Sequence, residues 1–226
     1  MNRPVQLSRC CRALVAAFSR SAAAVAGLAV VAGVAGAIMN APMAHAAPEP
    51  DAIPTKWQLD IEPGPLRLAS VDVPGEGNKF FYYLTFKVTN NTGADQLLAP
   101  KFEIATDEGE ILRSDRGVAP VVTETLLARL RNPYLEDQIG IQGRILEGQE
   151  NAREGLIVWP CNDLSPDEVT VYAEGFSGES KSVIAPDTGR VFVLRKTLML
   201  RHAVPGNLNP RSDAPIERTD TRWVMR

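Results

Sequence analysis

The sequence predicts an all-β fold: a two-layer β-sandwich of about seven to eight strands, with one short helix and an irregular C-terminal tail. Three features predict it. Short segments of alternating apolar and polar residues recur between residues 57 and 202, the period that a half-buried strand imposes. Clusters of Gly, Pro, Asn and Asp separate them. A single segment has helical spacing instead.

The chain has 226 residues, and its first 46 stand apart from the fold. They contain Arg3, Arg9, Arg12 and Arg20 with no acidic residue, then AAAVAGLAVVAGVAGAIM, then AHA at 44–46. Basic, apolar and small-x-small segments in that order predict a secretory signal peptide over residues 1–46, cut between Ala46 and Ala47. The alternative is a retained anchor, since Ala22 to Met39 is about long enough to span a bilayer. Cys10 and Cys11 precede the apolar run, where a lipid-modified cysteine would not lie. With the leader removed no stable membrane span is expected, and the destination is the periplasm, the cell surface or the exterior.

Residues 47–65 read as a Pro-rich leader loop, APEPDAIPTK, and a short strand, WQLDI, halted by Pro63, Gly64 and Pro65. The sandwich domain is expected over 66–202. It opens with LRLASVDV at 66–73 and the turn PGEGNK, and continues into FYYLTFKV. There Tyr82, Leu84, Phe86 and Val88 share the core face, while Phe81, Tyr83, Thr85 and Lys87 share a wetter one. NNTG supplies the next turn. LLAPKFEIAT at 97–106 follows, kinked at Pro100, then the turn DEGE and the strand ILRS. VVTETLLARLRN, 121–132, places Val122, Leu126, Leu127 and Leu130 on one helical face, with Thr123 as cap and Pro133 as stop. Strands resume at IGIQGRIL (139–146), GLIVWP (155–160), VTVYAEGF (169–176) and RVFVLRKTLMLRH (190–202), with EGQENARE as a charged loop between the first two. In the last strand Phe192, Leu194, Leu198 and Leu200 share a parity that Lys196 interrupts. Residues 203–226 form the polar, Pro- and Gly-rich tail.

FKVTNNTG (86–93) followed by FEIATDEGE (102–110) resembles the immunoglobulin-like accessory domains of exported bacterial proteins, over roughly residues 66–112. That resemblance implies an immunoglobulin-like sandwich and brings no catalytic residue with it. The Cys…Trp…Cys signature of antibody domains is absent, because Cys161 follows Trp159 and has no partner.

Composition narrows the chemistry. The leader holds four of the 24 basic residues and none of the 27 acidic ones, so the remainder carries a formal charge of −7. Such a surface repels nucleic-acid backbones. Past the leader only Cys161 and His202 remain of their kinds. A Ser177–His202–Asp grouping is the nearest approach to a nucleophilic triad, and GFSGES has the wrong spacing for a nucleophile elbow. No zinc-type ligand set, EF-hand or phosphate loop appears, so neither metal nor cofactor is expected. Asp107, Glu108 and Glu110, and likewise Asp163, Asp167 and Glu168, read as solvated loop tips.

The expected function is therefore non-enzymatic: protein–protein interaction, or a structural role in an envelope or extracellular assembly. The alternatives are an extracytoplasmic hydrolase and a carbohydrate- or calcium-binding module. Tyr83 and Trp223 are the candidate binding residues. Tyr83 lies on the parity opposite the core, and Trp223 is an aromatic in a polar tail. That tail would also offer a strand for self-association or for a protein partner.

Overall fold

The computed structural model describes residues 48–114, 116–206 and 213–226. The predicted leader and residues 207–212 of the predicted tail lie outside that range. Strand β1 (Asp60–Val73) turns at Pro74–Glu76 into β2 (Gly77–Asn90), and the two are paired along their whole length. The expected break at Pro63–Gly64–Pro65 is a bulge within β1 rather than a stop. A Cβ on Gly64 would lie 2.7 Å from Thr85 Oγ1, so the bulge brings β1 and β2 too close for any larger residue. At the end of β2, Asn90 is fully buried. Its amide donates to the Ala94 and Ile145 carbonyls, and its Oδ1 accepts from Thr92 N–H. Gly93, at φ 85°, completes that turn.

Pro100 divides the next predicted strand into β3 (Gln96–Leu98) and β4 (Lys101–Thr106), and β5 (Ile111–Arg113) returns along β4. Helix α1 (Pro120–Leu130) begins with Pro120 in its first turn and Ala119 as cap, so Thr123 lies inside it instead of capping it. It ends at Arg131, left-handed at φ 52°, whose N–H bonds the Leu127 carbonyl. Then come β6 (Leu135–Glu136), β7 (Gly143–Ile145) and β8 (Gly148–Cys161). Most of the strand expected over 139–146 is loop, with only β7 extended. The segment taken for a charged loop is the first half of β8. The series ends with β9 (Glu168–Glu174), β10 (Ser180–Ile184), β11 (Val191–Ala203) and β12 (Pro215–Met225).

Among the described residues, nine strands form one curled, mixed sheet in the order β5-β4-β9-β11-β12-β1-β2-β8-β6, with β10 on β11 outside that row. Only β6 and β8 are parallel within it, and β3 and β7 pair separately. The predicted irregular tail is thus corrected. Residues 215–225 are a strand that pairs with β11 along most of its length and with β1 at Leu66–Ile216 and Arg67–Pro215. Those two pairs are where the halves of the sheet join. The expected all-β class with one short helix is found among the described residues, with the strands arranged as this curled sheet.

The halves face each other across one core. Phe86 of β2 and Phe102 of β4 have ring centroids 5.1 Å apart, and Phe102 meets Trp159 of β8 edge-on at 6.3 Å. Tyr82, Leu84 and Val88 join them, as the period of two requires. The other face of β2 is not wet. Phe81 and Tyr83, with Val71, Leu156 and Val158, are covered by Val122 and Leu126 of α1. Each such side chain withdrawn from water contributes about 1.5–3 kcal/mol, so the helix closes a second core on the back of the β1-β2-β8 half.

Candidate interaction surface

Ser177 and His202 are not brought together. His202 is fully buried on the inner face, opposite Val169 and Arg218, and neither ring nitrogen has a hydrogen-bond partner among the described residues. Burial and then the Arg218 charge push its pKa down to about 4. Ser177 lies beyond the far end of β9 from Val169, and its hydroxyl donates to the Trp57 carbonyl. The Cys161 thiol donates to the Asp163 carbonyl, and burial pushes its pKa up to about 11, which disfavours the thiolate.

The two acidic loops do meet. Ser165 bonds Glu108, Asn162 bonds Glu110 and the Asp167 N–H bonds Asp107. Each of those carboxylates has its donor within the loops. Among the described residues no group of three His, Cys, Asp or Glu side chains is placed to hold a metal ion.

Of the two predicted binding residues, Tyr83 is 4 % exposed beneath α1 and presents no platform. Trp223 is half-buried. It packs on the inner core from β12 and forms part of a groove of about 750 Å³ with Pro50, Asp51, Gln58, Lys196 and Arg222. One wall of that groove is the segment before β1. This strap is held by Asp51, whose N–H bonds Glu179 Oε1 and whose carboxylate meets Lys181 Nζ at 2.8 Å. It is also held at Gln58, which bridges to Ser177.

At the end of the groove Lys196 Nζ lies 2.9 Å from Glu179 Oε2, both side chains being 4 % exposed, and 5.7 Å from the centre of the Trp223 ring. Burial opposes ionisation of Glu179. The Asp51 N–H and Lys196 outweigh that and hold its carboxyl below the usual range. This buried pair forms the root of a two-stranded ribbon, β10 with the first five residues of β11.

The ribbon is the surface that sequence reasoning missed. Ile184, Val191 and Val193 are 65 %, 63 % and 58 % exposed and share one face; Phe192, 47 % exposed, is on the other beneath Arg190. Apolar residues on both parities in VFVL were the available signal, since a solvated strand keeps one face polar. Among the described residues, both ribbon edges carry unpaired backbone groups. Ala185 N–H bonds the Arg190 carbonyl and Lys196 N–H bonds the Glu179 carbonyl. In an antiparallel ladder hydrogen-bonded pairs alternate, so 181 and 183 also point toward β11. Ser180, Ser182 and Ile184 then turn their N–H and C=O groups outward. On the opposite edge Arg195 exchanges both bonds with Arg226, which leaves Val191 and Val193 open.

Compared with known proteins, the chain matches no family model, no curated protein and no solved structure.

Proposed function

We propose that this is an exported, non-enzymatic protein of immunoglobulin-like sandwich type that acts by binding other protein surfaces, as an adaptor or structural subunit of an envelope or extracellular assembly. The observation that carries the reading is the β10–β11 ribbon. Exposed β-branched residues on an open-edged ribbon are costly in water, and interfaces are where such patches and edges are put to use. The basic, apolar leader with its AHA site supports export to the periplasm or beyond. The test places a photoreactive residue at Val193, or at the exposed Glu62 of β1 as control, in the chain produced in its own cells. Discrete protein adducts at 193 and none at 62 are expected. No adduct at either position overturns the reading.

A second reading is favoured by Trp223 alone. Its half-exposed indole beside Gln58, Asp51 and Arg222 suits a carbohydrate ring. Saturable quenching of tryptophan fluorescence by a sugar, lost in Trp223→Phe, would establish it. Flat titrations across neutral and acidic sugars remove it.

A further inference from the structure

We infer that the partner of the ribbon is a second copy of this chain, joined to it edge to edge through β10 about a two-fold axis at Ser182. The inference rests on the protein-binding reading and gives it an occupant. The outer edge of β10 presents three outward residues, Ser180, Ser182 and Ile184, whose N–H and C=O groups have no backbone partner among the described residues. An antiparallel second β10 in register about Ser182 sets Ser182 against Ser182 and Ser180 against Ile184 twice. All six outward groups of each copy then face complementary groups, with none left over.

The side chains permit that register. The edge has no proline and no bulge, the devices that keep edge strands from pairing. Its one charge, Lys181, projects to the strap side, where Asp51 neutralises it, and would lie opposite Val183 rather than opposite another lysine. Ile184 is 65 % exposed in the single chain and becomes an inner-strand residue beside Ser180 of the second copy. The opposite edge is the poorer choice, since Arg195 is already paired there with Arg226.

A five-residue strand is only about 17 Å long. Its pairing falls well below the roughly 800 Å² per partner of a standard interface, so the dimer dissociates on dilution.

Sedimentation velocity on the chain isolated from cells, from about 1 µM to about 500 µM, reads this directly. A reversible monomer–dimer shift is expected. Ser182→Pro removes only an outward N–H, so it leaves the β10–β11 ladder intact and should lower the association constant at least tenfold. Ser182→Lys sets two ammonium groups directly opposite and should do the same without a proline in the strand. A monomer throughout the range overturns the inference, as does a dimer that both variants leave unchanged. If the chain stays monomeric while Val193 still forms adducts with other proteins, the edge-paired dimer fails and the binding reading stands. If there are no adducts either, both fail.

Discussion

Lys196 Nζ and Glu179 Oε2 are 2.9 Å apart in a setting that leaves each side chain 4 % exposed. Both are shielded from water, so Lys196 relies on Glu179, while Glu179 has Lys181 Nζ at 3.9 Å as a second cation. Glu179 also accepts the Asp51 N–H, and the two backbones are joined through Lys196 N–H and the Glu179 carbonyl. The pair thus ties together the ribbon root, the strap and the Trp223 groove.

The two single removals are not equivalent. Glu179→Gln is expected to destabilise the fold by about 3–5 kcal/mol, because it leaves the buried Lys196 ammonium without a carboxylate, and Lys196→Met by less, because Lys181 Nζ at 3.9 Å and the Asp51 N–H still face Glu179. The double variant Lys196→Met with Glu179→Leu should recover most of that loss, since an apolar pair needs no partner. Urea unfolding midpoints of the three variants measure the difference. Three equal losses would show that the ion pair is not what the singles disrupt.

How much of this was legible depended on whether a strand had one wet face. β2 was readable down to its facing, because Tyr82, Leu84, Phe86 and Val88 alternate with residues of another kind. What the period could not convey was that Phe81 and Tyr83 also have a cover, since α1 comes some forty residues later and reaches them only through tertiary packing. β12 was hidden because it lies where the sheet halves join. Its inward residues include Arg218, which donates to the carbonyls of Pro63 and Gly64 at the β1 bulge, so PIERTDTRWVM lacks an apolar stripe. Lys196 read as an interruption because its partner is seventeen residues away across a hairpin. Of the candidate site, Trp223 was visible as an aromatic out of place, whereas Tyr83 was misplaced by the same parity argument that oriented β2 correctly.

Gly155 faces Phe86 across the β2–β8 pair, and a Cβ there would lie 2.4 Å from Phe86 Cε1 and 2.6 Å from Ile141 Cδ1. Phe86 is itself wedged against Phe102 and Phe176, so it has no free direction of retreat. Gly155→Ala should therefore cost about 1–3 kcal/mol through overpacking, despite the better strand preference of alanine. Chemical denaturation of the variant checks this. A neutral or stabilising result would mean that the aromatic cluster repacks freely.

A chain shortened at His202 loses β12. It then lacks Ile216 from the inner core, Trp223 packed against it, and the two-residue junction between the halves of the sheet. It also leaves β11 with an open edge where β12 had been. The shortened chain should fail to give a cooperative thermal transition and should aggregate. A folded, monomeric product would show that the halves hold together through side-chain packing alone.

His202 predicts how the fold responds to acid. Its ordinary value is 6.5, and in the folded chain burial and Arg218 lower it to about 4. Between those values the unfolded chain binds a proton that the folded chain refuses, so stability rises with pH across that window. The sign is the reverse of a salt-bridged histidine: the contribution is complete above about pH 6.5 and is lost as pH falls toward 4. Its size is about 3 kcal/mol, the shift converted at 1.36 kcal/mol per unit. Arg218 cannot relieve the strain, being itself a fixed positive charge on the facing residue of β12. His202→Phe removes the titrating group, although a larger ring in a full core carries its own packing cost. The measurement is therefore the slope of unfolding free energy between pH 7 and pH 4, not the value at one pH. The parent should lose about 3 kcal/mol more than His202→Phe over that interval. Parallel slopes would mean that His202 is protonated in the fold with a partner to receive its charge.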